Sequence, residues 1–299
     1  MTQSNNSHRA SGIALALISA SAFASLGLFA KYLFAYGMSV QQALAWRFTV
    51  ASAILWIWSL ATGRHKRPAR DYRSAVLLGL FGFAPQAGLY FVTVKLLGPG
   101  LTGLLLYLYP AFVVVMGSLF LRKRPVRAQL IALILSTAGC VLTLWTRGQY
   151  PAAGYILGVL VALTYAAYLV AGERVLAKLD PVFATTVLMS AAAIVYWSIT
   201  LATNAFSLPS QPSVVAAVLG IAAFGTVVPI VMLFAAMARI GAADTSLVST
   251  VEPLVTIALS AAIFGERLSL LQLGGGALIL AAVVVIQLEP VLDRARQES

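Results

Sequence analysis

The sequence is poor in the residues from which most enzyme active sites and metal centres are built. It has a single cysteine, Cys140, which cannot form an intramolecular disulfide, and only two histidines. Both histidines, His8 and His65, lie outside the long apolar segments described below. No Gly-x-Ser-x-Gly, His-Glu-x-x-His, phosphate-binding glycine loop or Asp-rich motif is present. These absences argue against an enzyme, and we expect no cofactor and no metal site.

Charged residues are scarce as well, at 10% of the chain, whereas hydrophobic residues make up 61%. Soluble domains average about 25% charged and 45–50% apolar residues. Ten apolar stretches fill the sequence, each near the roughly 20 residues that a helix needs to cross a bilayer. The predicted spans are residues 12–34, 40–61, 74–95, 99–121, 127–146, 153–172, 182–203, 213–237, 241–263 and 268–288. The chain is therefore predicted to be an all-α polytopic membrane protein with the lipid bilayer as a partner.

The net charge of +11 is distributed unevenly between the two sides of the predicted membrane. If the first span runs outward from the cytoplasm, fifteen of the 20 Lys and Arg residues fall on the cytoplasmic side. Only Lys31, Lys95, Arg147 and Arg267 fall outside, and Arg47 lies within a span. This bias follows the positive-inside rule, so both termini are predicted to be cytoplasmic, in a bacterial-type inner membrane. We interpret the basicity as a topology signal and expect no nucleic-acid partner.

The second half of the chain repeats the order of the first. A shift of 143 residues superposes the fourth and fifth spans on the ninth and tenth, and Gly98 then meets Gly241. Each copy has five spans, an odd number, so the two copies enter the membrane from opposite sides. We predict ten transmembrane helices arranged as two inverted five-helix repeats, residues 1–147 and 148–299. This symmetry is typical of secondary transporters, whose substrate site lies near mid-membrane between the repeats.

Prolines interrupt four of the spans at matching or nearly matching positions of the two copies. They are Pro85, Pro110, Pro229 and Pro253. A proline inside a helix frees a backbone carbonyl, which a membrane tolerates where a neighbour or a water-filled cavity satisfies it. The helix breaks therefore predict that these four spans wall the transport site, with a role in packing alone as the alternative.

Two ionisable residues, Arg47 and Glu252, lie well inside predicted spans. A charge at the bilayer centre costs about 2.5–3.5 kcal/mol on insertion scales, so each needs a partner, a wet cavity or, for Glu252, a proton. Arg47 is close enough to the outer end of its span to extend outward, and we expect a structural or interfacial role before contact with a substrate carboxylate. For Glu252 we prefer a brace at the broken helix to a proton-coupling carboxylate.

Tyrosines and small polar residues supply the remaining candidates for contact with a substrate. Tyrosine offers a face for stacking and a hydroxyl for orientation, and several of these residues share a helix face. The candidates are Gln86, Tyr90, Tyr107, Tyr109, Thr164, Tyr165, Tyr168, Ser246, Ser249 and Thr250. The same residue types mediate helix packing and line membrane interfaces, so packing is the alternative for each.

Three segments resemble a known transporter family. Val-Glu-Pro at 251–253, Phe-Gly-Glu-Arg-Leu-Ser at 264–269 and Ala-Trp-Arg-Phe at 45–48 resemble elements of the EamA family in the drug/metabolite transporter superfamily. The resemblance covers nearly the whole chain and is best in the second copy. The first copy departs from it, since Leu-Arg-Lys-Arg at 121–124 stands where the second has Phe-Gly-Glu-Arg.

The resemblance implies a secondary transporter, most often an exporter, of small metabolites. Family members carry amino acids, purines, riboflavin, sugar conjugates or drugs. Tyr-Leu-Tyr-Pro at 107–110 is similar to a stretch of the aromatic amino-acid exporters, which favours export of aromatic or neutral amino acids by alternating access. A carrier of another solute, or an importer, is the alternative. Two complete repeats make a monomer sufficient, and protons are the candidate coupling ion.

Overall fold

The computed structural model describes residues 2–121, 125–144, 151–176, 179–252, 254–255 and 270–297. Every regular element within these ranges is helical. The α-helices are α1 (Thr2–Phe23), α2 (Leu26–Ala35), α3 (Val40–Ala61), α4 (Ala69–Leu78), α5 (Ala84–Leu106), α6 (Tyr109–Phe120), α7 (Arg127–Leu144), α8 (Ala152–Leu176), α9 (Pro181–Ala202), α10 (Pro212–Ala222), α11 (Val228–Val248) and α12 (Leu270–Gln297). Two π-helical turns, π1 (Gly79–Phe83) and π2 (Ala223–Val227), join α4 to α5 and α10 to α11.

Six helical segments in the described part of the chain are long and apolar enough to cross a membrane. They are His8–Ala35, Val40–Ala61, Ala69–Pro99, Ala152–Val175, Pro181–Ala202 and Pro212–Val251. Three shorter apolar helices accompany them, at Tyr109–Phe120, Arg127–Gly139 and Leu273–Ala282. The protein is therefore a polytopic helical membrane protein. Residues 253 and 256–263 of the predicted ninth span lie outside the described residues, so the count of ten stays a prediction.

Side-chain caps define the starts of α3 and α9. The Ser39 hydroxyl accepts a hydrogen bond from the Gln42 amide at 3.3 Å, and Gln42 Oε1 accepts one from the Ser39 amide at 2.9 Å. Asp180 Oδ1 accepts hydrogen bonds from the amides of Val182 and Phe183 at 3.0 and 3.1 Å. These caps satisfy amides that have no partner within their own helix, and they fix where each helix begins.

Helices α3 and α9 pack against each other through two reciprocal hydrogen bonds. Trp56 Nε1 donates to Ser190 Oγ at 2.9 Å, and Trp197 Nε1 donates to Thr49 Oγ1 at 2.7 Å. The two tryptophans lie 141 positions apart, and so do Thr49 and Ser190. Exchanging the two halves of the chain therefore maps each bond onto the other.

Three of the prolines lie at irregular points of the helices. Pro85 and Pro229 directly follow π1 and π2 inside the continuous helical segments Ala69–Pro99 and Pro212–Val251, and Pro110 lies in the first turn of α6. Prolines and π-turns both disturb the hydrogen-bond ladder of a helix and are common at kinks. Pro85 and Pro229 thus lie at irregular turns within helices, whereas Pro110 begins a helix, where a proline costs no hydrogen bond. Pro253 lies outside the described residues.

Two glycines break helices in the same way in the two halves. Gly98, within α5, has φ 75° and ψ 167°, and Gly241, within α11, has φ 77° and ψ 170°. This backbone conformation is open to glycine and strained for residues with a Cβ atom. The predicted alignment of Gly98 with Gly241 is thus matched by the same local geometry at both sites.

Polar contacts connect the two halves of the chain at both ends of the helix bundle. At one end, here called the basic end, Arg64 forms an ion pair with Asp180 at 2.5 Å. At the other, called the distal end, Gln42 Nε2 donates to Ser207 Oγ at 2.9 Å and Trp46 Nε1 donates to the Ser207 carbonyl at 3.1 Å. Each end is therefore bridged by contacts between the first and the second half of the chain.

Candidate functional site

A small cavity lies at the centre of the bundle, bounded by helices from both halves of the chain. Its lining residues are Phe23, Leu26, Arg47, Phe83, Gln86, Ala87, Tyr90, Leu106, Tyr109, Tyr165 and Glu252. It holds about 50 Å³ of space, enough for a few water molecules. Pockets that enclose organic ligands usually measure about 300–1,000 Å³. In this conformation the cavity is therefore contracted below the size of a metabolite.

Arg47 is buried in the wall of this cavity, with 2% of its surface exposed. Its Nε donates to Thr226 Oγ1 at 2.6 Å, and a terminal nitrogen donates to the Gly225 carbonyl at 3.2 Å. The guanidinium lies over the rings of Phe48 and Phe91, 4.9 and 5.4 Å from their centroids. The expected outward, interfacial position is therefore wrong. The π2 turn and the aromatic faces give this cation partners inside the bundle, so it has no need to reach the surface.

Glu252 lines the same cavity and accepts a hydrogen bond from the Tyr107 hydroxyl. Tyr90 and Tyr165 line the same cavity as Glu252 and Arg47. The two ionisable residues that the sequence places inside spans are thus brought to one site. Tyr107 was predicted to face the cavity, but it is not among the lining residues and contacts Glu252 instead.

Tyrosines from two helices form an aromatic wall beside these charges. The rings of Tyr109 and Tyr165 lie 4.8 Å apart, and the ring of Tyr168 lies 6.1 Å from that of Tyr165. The Tyr109 hydroxyl donates to the Ser246 carbonyl at 3.1 Å and so ties α6 to α11. Of these three tyrosines, Tyr109 and Tyr165 reach the cavity surface.

Apart from Tyr107, the residues predicted to contact a substrate fall into three groups. Gln86, Tyr90, Tyr109 and Tyr165 line the central cavity with Arg47 and Glu252. Thr164 and Tyr168 line a separate groove on the side of the bundle. Ser246, Ser249 and Thr250 donate to carbonyls of their own helical segment, at 2.7–2.8 Å, and do not line the cavity. Their hydroxyls thus serve the local backbone, and contact of these three with a substrate stays a prediction.

A polar vestibule of about 370 Å³ lies at the basic end of the bundle. Asp244 pairs there with Arg9 at 2.9 Å and accepts a hydrogen bond from Gln129 Nε2 at 2.7 Å. Glu173 Oε1 accepts a hydrogen bond from the Ala242 amide at 3.2 Å. Sequence reasoning missed Asp244, because it is only three residues inside the predicted ninth span. An acidic residue within an apolar segment was the signal that could have identified it.

Comparisons with known proteins agree with this architecture. The model of the EamA-like transporter family matches residues 10–145 and again residues 152–288. An uncharacterized transporter of Bacillus subtilis (strain 168), YyaM, is 26% identical over 266 residues, which cover 85% of this chain and 86% of that protein. An uncharacterized transporter of Archaeoglobus fulgidus is 28% identical over 219 residues, covering 72% and 77% of the two chains.

A solved crystal structure also matches, with a TM-score of 0.78 and 21% identity over 97% of this chain and 99% of that one. At this level of identity the likeness shows a shared fold. The family model accounts for most of the sequence in two consecutive copies, and the relatives are named as transporters. The chain therefore belongs to the EamA-like transporter family, within the drug/metabolite transporters of small solutes.

Proposed function

We propose that this protein exports amino acids, preferring aromatic and neutral ones, across a bacterial-type inner membrane. The observation that carries the proposal is the presence of Arg47 and Glu252 in one central cavity. An amino acid at neutral pH has one carboxylate and one ammonium group. A guanidinium matches the carboxylate geometrically, and a glutamate carboxylate is a strong acceptor for the ammonium. Tyr90 lines the cavity together with both charges, and its hydroxyl can orient the bound head group.

The aromatic wall supports the preference for aromatic and neutral side chains. Tyr109 and Tyr165 present their rings to the cavity at an angle of 60° to each other, and Phe23 and Phe83 add apolar surface. Aromatic pairs contribute about 0.5–1.5 kcal/mol beyond the burial of their area, so a phenyl or indole group gains more here than a polar side chain. An anionic side chain would add a second negative charge close to Glu252.

We further propose that residues 1–147 and 148–299 form two inverted five-helix repeats, with ten transmembrane helices in all. The two reciprocal tryptophan bonds between α3 and α9 support this arrangement, because they exchange under a two-fold operation. The equal conformations of Gly98 and Gly241, and the placement of π1 and π2 before equivalent helices, support it as well. In this arrangement the central cavity lies between the repeats.

The transport mechanism that we propose is alternating access. The cavity is too small for a substrate, so binding requires the repeats to move apart on one side. The vestibule beside Arg9 and Asp244 supplies the approach from the basic end, which the positive-inside rule assigns to the cytoplasm. A substrate ammonium would replace Tyr107 as the partner of Glu252, and protons would compete for the same carboxylate. One chain contains both repeats, so a monomer is sufficient for this mechanism.

The experiment is efflux from proteoliposomes loaded with labelled phenylalanine, measured at two pH values. Phenethylamine, which lacks the carboxylate, and 3-phenylpropionate, which lacks the ammonium, are tested as competitors against phenylalanine. We expect wild-type protein to be inhibited by phenylalanine and by neither analogue. Glu252→Gln should weaken phenylalanine transport and lose the pH dependence, and Arg47→Lys should weaken recognition of the carboxylate while keeping a cation near π2.

Lys95→Gln serves as the matched control, since Lys95 is exposed and away from the cavity. Each variant is checked for a single symmetric peak in size-exclusion chromatography before transport is measured. Efflux of riboflavin but not of phenylalanine from folded wild-type protein would refute the proposed substrate. Equal inhibition by phenylalanine and phenethylamine would refute the role of Arg47, and pH-dependent efflux that survives Glu252→Gln would make Glu252 a structural brace.

A further inference from the structure

A lateral groove of about 570 Å³ lies on the outside of the bundle, separate from the central cavity. One wall runs from Ser74 on α4 through Phe81 on π1 to Pro85 on α5, and the other wall includes Ala167 and Ala171 on α8. Most of the lining surface is apolar. The groove therefore lies between a helix of the first half of the chain and a helix of the second half.

The groove opens toward the hydrocarbon region of the membrane. Phe81 has 77% of its surface exposed and Leu77 has 45% exposed, and both lie within a segment that is long and apolar enough to cross a bilayer. The small residues Ala167 and Ala171 leave the depth of the groove unfilled. Side chains that are exposed within a transmembrane segment face lipid, so the molecule that occupies this groove comes from the bilayer.

The length of the groove matches one leaflet. Eleven residues separate Ser74 from Pro85, which corresponds to about 16 Å at 1.5 Å per residue. Half of a hydrocarbon core of about 30 Å is about 15 Å. The groove begins near the basic end of the bundle and ends near mid-membrane, so it has the extent of a single acyl chain of that leaflet.

Positive charge lies at the end of the groove where a lipid head group would be. Arg70 is exposed and precedes Ser74 by four residues, so it lies on the same face of α4, one turn nearer the basic end. Arg73 is also exposed in this turn, and the two outnumber Asp71, the one acidic residue of α4. Clusters of arginine beside a transmembrane helix favour anionic lipids.

We infer that the groove is a binding site for an anionic phospholipid, with one acyl chain between α4–π1–α5 and α8 and the phosphate at Arg70. The fit rests on the match of length, lipid exposure and charge, and it does not depend on the substrate of the transporter. In this arrangement Arg70 favours an anionic head group, and the small residues on α8 leave room for an acyl chain.

The experiment is native mass spectrometry of the purified full chain, released from detergent micelles that contain equal amounts of phosphatidylglycerol and phosphatidylcholine with the same acyl chains. We expect wild-type protein to retain phosphatidylglycerol preferentially. Arg70→Gln should lower the preference for phosphatidylglycerol over phosphatidylcholine by about fivefold, the loss expected for one basic contact at an anionic surface. Lys95→Gln, at an exposed lysine ten residues beyond the Pro85 end of the groove, should leave the preference unchanged.

A second pair of variants tests the acyl-chain groove. Ala171→Trp fills the groove and should abolish retention of either lipid, whereas Ala216→Trp, at an exposed alanine on α10, should have no effect. Equal retention of the two lipids by wild-type protein, or unchanged retention by Ala171→Trp, would overturn the inference. Loss of transport by Ala171→Trp without loss of lipid would also overturn it, because the groove would then be a lateral route for a solute.

Discussion

Two helix backbones approach each other closely at Gly139. Adding a single methyl group at this position tests that contact. A Cβ atom there would lie 2.7 Å from the Gly275 carbonyl oxygen and 3.0 Å from the Ile279 amide nitrogen, both backbone atoms of α12. Neither atom belongs to a flexible side chain, so α7 and α12 must separate to accept an alanine. Small residues at such contacts are what lets transmembrane helices pack closely.

Gly139→Ala is therefore expected to destabilise the protein. Overpacking costs about 1–3 kcal/mol, and replacing a helical glycine by alanine returns about 0.5–1 kcal/mol. The net loss in the free energy of unfolding is about 1 kcal/mol, within a range of about 0–2.5 kcal/mol. It is measured by unfolding the purified protein in mixed micelles with increasing mole fraction of SDS, followed by circular dichroism.

Gly274→Ala is the matched control, because Gly274 lies on the same helix pair and a Cβ atom there has nothing within 4 Å. This variant keeps the gain in helix propensity without the clash, so we expect it to be as stable as wild type or more stable by up to about 1 kcal/mol. If the two variants have the same free energy of unfolding, the backbone contact between α7 and α12 does not exist as described.

Three further predictions use the same unfolding assay. Trp56→Phe should cost about 0.6 kcal/mol, the average for a hydrogen bond between transmembrane helices, and a neutral result would show that this bond contributes nothing. Trp197→Phe should cost more, because the Trp197 ring also packs against Trp46 and Phe206. A double-mutant cycle of Arg9→Gln with Asp244→Asn should give a coupling energy of about 1 kcal/mol, and additivity would show that the pair contributes nothing. Gly98→Ala should cost about 1–3 kcal/mol through backbone strain alone, because no atom lies within 4 Å of its Cβ position, and a neutral result would argue against the positive φ.

The sequence predicted that the protein is a membrane protein and where its helices break, because both properties depend on local chemistry. Apolar length identifies a span, and the aligned Gly98 and Gly241 indicated a break that the structure has in both halves. The prolines located the breaks to within a turn. The π-turns before Pro85 and Pro229 were not predicted, because a π-turn leaves no trace in residue composition. That turn depends on packing between helices, which the order of residues does not reveal.

The lining of the cavity was predicted in part. The predictions that differ from the structure concern side chains whose positions depend on their hydrogen-bond partners. Arg47 was expected to reach outward because a lone cation in a span usually does, yet Gly225 and Thr226 offer it hydrogen bonds inside. Ser249 and Thr250 were predicted to contact a substrate, but their hydroxyls donate to carbonyls of their own helical segment. The position of the Arg47 side chain depends on partners that are remote in the chain. The direction of the two hydroxyls depends on a local rotamer. Segment 264–269, which supports the family resemblance, lies outside the described residues.

The reciprocal tryptophan bonds have a consequence for the origin of the chain. In each of α3 and α9 a hydroxyl-bearing residue, Thr49 or Ser190, precedes the tryptophan by seven positions, which places the donor and the acceptor on one helix face. A separate five-helix molecule with this pair would dimerise with an upside-down copy of itself through an isologous interface. Fusion of two such genes would keep that interface and free the remaining positions to diverge. The tyrosine at position 109, whose counterpart is Glu252, would then be a difference acquired after the fusion.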